Sequence, residues 1–125
     1  MRERLLERAQ QGDASAQFEL GKHYEAGRIG LPKDLAQATH WYREAAKQGE
    51  PYAEISLGII YEFGKGVPRD YVIAYMWFER SAAQLTGGDR ESVVELRDAV
   101  AAKLNPAQLA NARRLAKEAA AGKNP

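Results

Sequence analysis

Residues 16–27, Ala16-Gln17-Phe18-Glu19-Leu20-Gly21-Lys22-His23-Tyr24-Glu25-Ala26-Gly27, return 37 positions later as Ala53-Glu54-Ile55-Ser56-Leu57-Gly58-Ile59-Ile60-Tyr61-Glu62-Phe63-Gly64. Ala16, Leu20, Gly21, Tyr24 and Gly27 match Ala53, Leu57, Gly58, Tyr61 and Gly64, and upstream Gly12 matches Gly49. Downstream, Pro32, Asp34, Ala38 and Trp41 match Pro68, Asp70, Ala74 and Trp77, now 36 positions apart. The one-residue slip falls between Arg28-Ile29-Gly30-Leu31 and Lys65-Gly66-Val67. Surface loops tolerate insertions, so a slip there supports the alignment. A fixed period of this length marks a repeat architecture.

Each copy reads as helix–loop–helix. Ala16, Leu20 and Tyr24, like Ala53, Leu57 and Tyr61, keep the i, i+4 spacing of one helix face. Asp13 suits the N-cap of the first helix in copy one, and Pro51 suits the first turn of its counterpart. Gly27 and Gly64 stand where these helices end, the usual place of a left-handed residue. A second helix begins near Asp34 and Asp70, each a capping residue. It carries Ala38, Trp41 and Ala45 in one copy and Ala74, Trp77 and Ser81 in the other. Gly21 and Gly58 lie mid-helix, where glycine costs about 1 kcal/mol relative to alanine. That cost at one repeated register predicts close helix approach, with Ala38 and Ala74 facing the glycines. Trp41 and Trp77 are expected to fill the space between hairpins.

The ends read as caps. Ala9-Gln10-Gln11-Gly12 parallels Ala46-Lys47-Gln48-Gly49, so residues 1–12 form a half unit. After Gly87-Gly88 the motif decays. A helix from about Asp89 to Lys103 keeps Val93, Leu96 and Val100. Asn105-Pro106, an N-cap followed by proline, starts a last helix to about Ala120. The expected fold is all-α: about seven helices in one domain over residues 1–125. Residues 13–49 and 50–85 are the two repeats, and 86–125 cover the end of the stack.

Composition narrows the function. Eighteen Lys and Arg against seventeen Asp and Glu give a net charge of +1, without the basic excess of a nucleic-acid binder. No cysteine is present, which removes disulfides, thiol catalysis and thiolate metal sites. The N-terminus is charged, with no apolar run of signal-peptide length, and no stretch reaches a bilayer-spanning length. A soluble, cytoplasmic protein with no nucleic-acid or membrane partner is the expectation.

Residues 13 to 85 resemble two Sel1-like repeats. The first carries Ala16-x3-Leu20-Gly21-x2-Tyr24-x2-Gly27, then Asp34-x3-Ala38-x2-Trp41-Tyr42-x2-Ala45-Ala46-x2-Gly49. The second carries Ala53-x3-Leu57-Gly58-x2-Tyr61-x2-Gly64-x-Gly66-Val67, then Asp70-x3-Ala74-x2-Trp77-Phe78-x3-Ala82. The longer Arg28–Leu31 loop, and Ser81 in a place where the family usually has alanine, are the departures. Sel1-like repeats are related to tetratricopeptide repeats. The resemblance implies a right-handed α-solenoid, a non-enzymatic adaptor or scaffold that binds another protein, often in bacteria. It implies no particular partner.

In the related repeats the first helix of each unit lines the concave face. Registered on the glycines, that places Ser15, Phe18, Lys22 and Glu25 there in copy one, and Tyr52, Ile55, Ile59, Glu62 and Phe63 in copy two. The second of these helices is apolar almost all round, and such a helix is normally buried on several sides. Its Ile55, Ile59, Phe63 stripe is open to three readings: covered by the C-terminal helices, a groove for a partner peptide or helix, or a self-association surface.

No catalytic, cofactor or metal site is expected. His23 and His40 lack a ligand partner at helical spacing and read as packing or surface residues. Gly64-x-Gly66 follows no strand and precedes no Gly-Lys-Ser/Thr. Ser15, Ser56, Ser81 and Ser92 have no nucleophile-elbow context, and no Ser-x-x-Lys supports a hydrolase. Arg113, Arg114 and Lys117 read as a solvated helix face suited to the dipole.

Overall fold

The computed structural model describes residues 2–120, which form seven helices and no strand. These are α1 (Arg2–Gln10), α2 (Ala14–Ala26), α3 (Leu35–Lys47), α4 (Pro51–Phe63), α5 (Tyr71–Gln84), α6 (Gly87–Ala101) and α7 (Pro106–Ala120). By its internal contacts the chain divides between Ala53 and Glu54 into two compact units.

In the first unit the helix ends follow from local chemistry. The Asp13 carboxylate accepts the Ala16 N–H at 3.1 Å and two N–H groups of Arg8 at 3.1 and 3.0 Å. Asp34 accepts from the Gln37 N–H at 3.0 Å. Each satisfies a donor that the helix start leaves over. Gly27 closes α2 in the left-handed region at φ 69 and bonds back to the His23 carbonyl. At the start of α4 the Glu50 carboxylate accepts the Ala53 N–H at 2.6 Å, a cap that the usual Ser/Thr/Asp/Asn signal does not announce. Burial pushes the Glu50 carboxyl up, against the lowering effect of its backbone bonds.

Leu5, Ala9, Ala16 and Leu20 form the core of this unit, with Leu6, Tyr24, Ile29, Leu31 and Trp41 packed against it. Trp41 of α3 thus packs on a core that includes Leu5 and Ala9 of the half unit. The extra residue of the 28–31 loop is absorbed at Ile29, whose φ of 53 is unusual for a β-branched residue. Packing of its side chain on the core holds it there. The glycine contact differs from expectation. A Cβ on Gly21 would lie 2.7 Å from Tyr42 Cδ1 and Cε1. Ala38 is fully buried, but the ring against the glycine is that of Tyr42, one turn further on. A helical side chain leans back over the turn N-terminal to it, so the later residue reaches the gap.

The second unit repeats these devices. Asp70 accepts the Ile73 N–H at 3.0 Å, and Gly64 is left-handed at φ 65. A Cβ on Gly58 would fall into the ring of Phe78, so Phe78, again one turn after the expected Ala74, is the partner. Phe78 joins Ala74, Tyr75, Ala82, Val93, Val100 and Ala112 in a core drawn from α5, α6 and α7. Both C-terminal helices pack on α5. Helix α6 begins at Gly87, two residues before Asp89, and ends at Ala101. Asn105 and Gln108 cap α7 reciprocally, at 2.8 and 2.9 Å.

One buried polar feature was not anticipated. Glu54 is fully buried, 3.3 Å from the Arg80 guanidinium, and accepts an N–H from the Gln84 amide at 2.5 Å. Copy one has the matching pair: Gln48 donates to Gln17 at 2.9 Å, and Gln17 donates to the Ala9 carbonyl at 3.0 Å. The same two registers are bridged in both copies, with a neutral acceptor in one and a charged acceptor in the other.

Candidate partner-binding site

In the first unit, Phe18, Lys22 and Glu25 follow one another along one face of α2, four and three residues apart. Phe18 is half-buried. Its ring centroid lies 5.9 Å from that of Tyr42 and 6.3 Å from that of Tyr52, both tilted. The Lys22 ammonium sits 5.3 Å from the Phe18 centroid, within cation–π range. The buried Tyr42 hydroxyl donates to Glu25 at 2.6 Å, so Glu25 is engaged in holding the hairpin. Tyr52, 41% exposed, is one of two large exposed apolar side chains among the described residues. Four predicted residues therefore share one neighbourhood: an aromatic platform of Phe18 and Tyr52, a cation in Lys22, and an anchor in Glu25.

In the second unit, Ile55 and Ile59 are half-buried and pack against the core of α5–α7. The stripe is not an open groove along its length. Its far end is open: Phe63 is 65% exposed. Glu62 is half-buried, and burial pushes its carboxyl up while Lys103 pulls it down by less. Sequence reading missed the residues beside it. Arg69 and Lys103 each stand 4.9 Å from the Tyr71 ring centroid. The available signal was the change between copies, Ala26 to Phe63 and Leu35 to Tyr71.

Arg4, Leu5, Arg8, Glu19, His23 and Ile29 line an open cleft of about 430 Å³ in the first unit. Burial, then the charge of Arg28, holds the His23 imidazole below its ordinary pKa. His40 stands edge-on to Trp41 at 4.9 Å. Among the described residues no three His, Cys, Asp or Glu side chains gather as a metal site. Nor is any helix among them long and apolar enough to cross a membrane.

The paired glycine–ring contacts and paired caps coincide with a family match. Residues 14–50 and 51–84 each match the Sel1 repeat. The chain belongs to the Sel1 repeat family. Its fold is all-α, an α-solenoid of helix–loop–helix Sel1 repeats. It matches a protective antigen of uropathogenic Escherichia coli strains whose crystal structure displays an SLR fold. That match has TM-score 0.84 and 36% identity, over 97% of this chain and 25% of the other. A Sel1 repeat protein of Oxalobacter formigenes matches at TM-score 0.63 and 40% identity, over 69% of this chain and 34% of its own. Among curated relatives, the ERAD-associated E3 ubiquitin-protein ligase component of Arabidopsis thaliana is 41% identical over 46% of this Sel1 repeat chain and 9% of its own length. The chitin synthase regulator SKT5 of Saccharomyces cerevisiae is 34% identical over 71% of this chain and 12% of its own. The chain thus spans about a tenth of the length of these curated relatives.

Proposed function

We propose that this Sel1 repeat chain is a non-enzymatic interaction module, an adaptor that binds a peptide or helix of another protein. The observation that carries this reading is the Phe18–Tyr52–Lys22 platform. Phe18 and Tyr52 expose aromatic surface beside a cation, the composition enriched where proteins meet. The α2 backbone that carries Phe18 is held by the Tyr42–Glu25 bond and the Gly21 contact, so little order is lost there on binding. The names of the relatives, a ligase component and a synthase regulator, agree with a role exercised through other proteins.

A second reading is self-association, favoured by exposed Phe63. Affinity capture from lysate separates the two, comparing wild type with a Lys22→Glu/Tyr52→Glu variant that matches it in circular dichroism. Neither substituted side chain is buried, so the fold should be kept. The expected result is a protein held by wild type and lost from the variant. Capture of this chain's own copies alone would favour self-association. Ile55 and Ile59 are unsuited to this test, because a charge there would enter the core.

A further inference from the structure

The two copies share a scaffold, so residues that the scaffold does not require stand out by subtraction. Where copy one has Ala26 at the end of its first helix, copy two has Phe63, 65% exposed. Where copy one opens its second helix with Leu35, copy two has Tyr71. A large apolar side chain in water at a place where alanine serves the fold has no packing role to explain it.

The surroundings are set by the backbone. The Asp70 N–H donates to the Tyr61 carbonyl at 2.9 Å, which brings the start of α5 beside the last turn of α4. A Cβ on Gly64 would lie 3.2 Å from the Arg69 nitrogen, so Arg69 adjoins the residue that follows Phe63. From the α6–α7 turn, Lys103 reaches Tyr71, 4.9 Å from its ring and 3.5 Å from its hydroxyl. Neither Arg69 nor Lys103 forms an ion pair with a carboxylate among the described residues. Glu62 is the carboxylate whose charge acts on Lys103; it is half-buried, and its Oε1 has no hydrogen-bond partner. The Asp70 carboxylate, between Arg69 and Tyr71 in the chain, accepts the Ile73 N–H as the cap of α5, and the two cations stand beside an open phenyl ring and a tyrosine.

We propose that Phe63, Arg69, Tyr71 and Lys103 form a docking point for an acidic segment of a partner protein, an apolar side chain flanked by Asp or Glu. The apolar residue covers Phe63 and the edge of Tyr71, and its flanking carboxylates meet Arg69 and Lys103. This inference rests on the interaction-module reading and names the chemistry of the partner within the second unit alone. Charge complementarity of this kind sets specificity and association rate.

The test is selection of random 12-residue displayed peptides on the full chain, followed by calorimetric titration of the enriched sequences. The proposal expects peptides with at least two Asp or Glu close to an apolar residue. Arg69→Glu/Lys103→Glu and Phe63→Ser should each weaken them about tenfold or more. Gln37→Glu, at an exposed position of α3 in the first unit, should leave them unchanged. If the charge reversal unfolds the chain, Arg69→Gln/Lys103→Gln takes its place, with a smaller loss in the same direction. Enriched peptides without acidic bias, no enriched peptide, or binding unaffected by these variants would overturn the proposal. So would a concentration-dependent dimer in sedimentation that Phe63→Ser abolishes. Lysate capture separates the two failures: a partner held through Lys22 and Tyr52 but indifferent to Arg69 and Lys103 sinks this inference alone, and no captured partner sinks both.

Discussion

Arg80→Ala should lower the unfolding free energy by about 3–5 kcal/mol, measured by chemical denaturation. The carboxylate of Glu54 is fully buried, and the Arg80 guanidinium is 3.3 Å from it with 14% of its side chain exposed. Truncation removes the cation and leaves the charge in the core beside Gln84. It also strips the guanidinium from Trp77, over whose ring it lies at 5.3 Å. Breaking one side of a buried pair costs far more than replacing both sides, because the surviving charge stays desolvated. Glu54→Gln/Arg80→Met should therefore recover most of the loss. The glutamine would reproduce the neutral acceptor that Gln17 provides in copy one. A cost under about 1 kcal/mol for Arg80→Ala, the range of exposed pairs, would show that Glu54 is not buried as described.

Gly58→Ala should destabilise by about 1–3 kcal/mol, and Gly21→Ala by a similar amount. Helix propensity predicts the opposite sign, a gain of about 1 kcal/mol. The steric term wins here because the new Cβ would meet ring carbons of Phe78 at 2.6 and 2.8 Å, and those of Tyr42 at 2.7 Å. Phe78 and Tyr42 are both fully buried, so neither ring has room to withdraw. Gly88→Ala is the internal control. Nothing lies within 4 Å of a Cβ there, and the substitution should stabilise by about 0.4–1 kcal/mol. Thermal melts of the three variants report the contrast. A gain at Gly58 comparable to that at Gly88 would refute the ring-on-glycine packing.

The helix ends were legible because they depend on residues within one turn. Asp13, Asp34, Asp70, Gly27, Gly64 and Asn105-Pro106 act where the sequence puts them. The repeat was legible because it is written twice. What crosses between helices was harder to read. Mid-helix Gly21 and Gly58 announce a close approach, but the side chain nearest to them depends on how helical side chains lean, and it is Tyr42 and Phe78, one turn beyond Ala38 and Ala74. Periodicity marks the Ile55, Ile59, Phe63 stripe as apolar and is silent on what covers it. The core of α5–α7 takes the two isoleucines and leaves Phe63 open. Glu54 looks like one more polar position until Arg80 and Gln84 are brought across from α5. Lys103 and Tyr71 meet across 32 residues, with no shared period to link them.

Site-specific photo-crosslinking tests the interaction reading most directly. A benzophenone amino acid replaces Tyr52, or as a control Gln37, an exposed residue of α3, and each variant is irradiated in lysate. The account predicts a discrete crosslinked protein from position 52, absent from position 37 and competed by unlabelled wild-type chain. Equal crosslinking from both positions, or none from position 52, would contradict it.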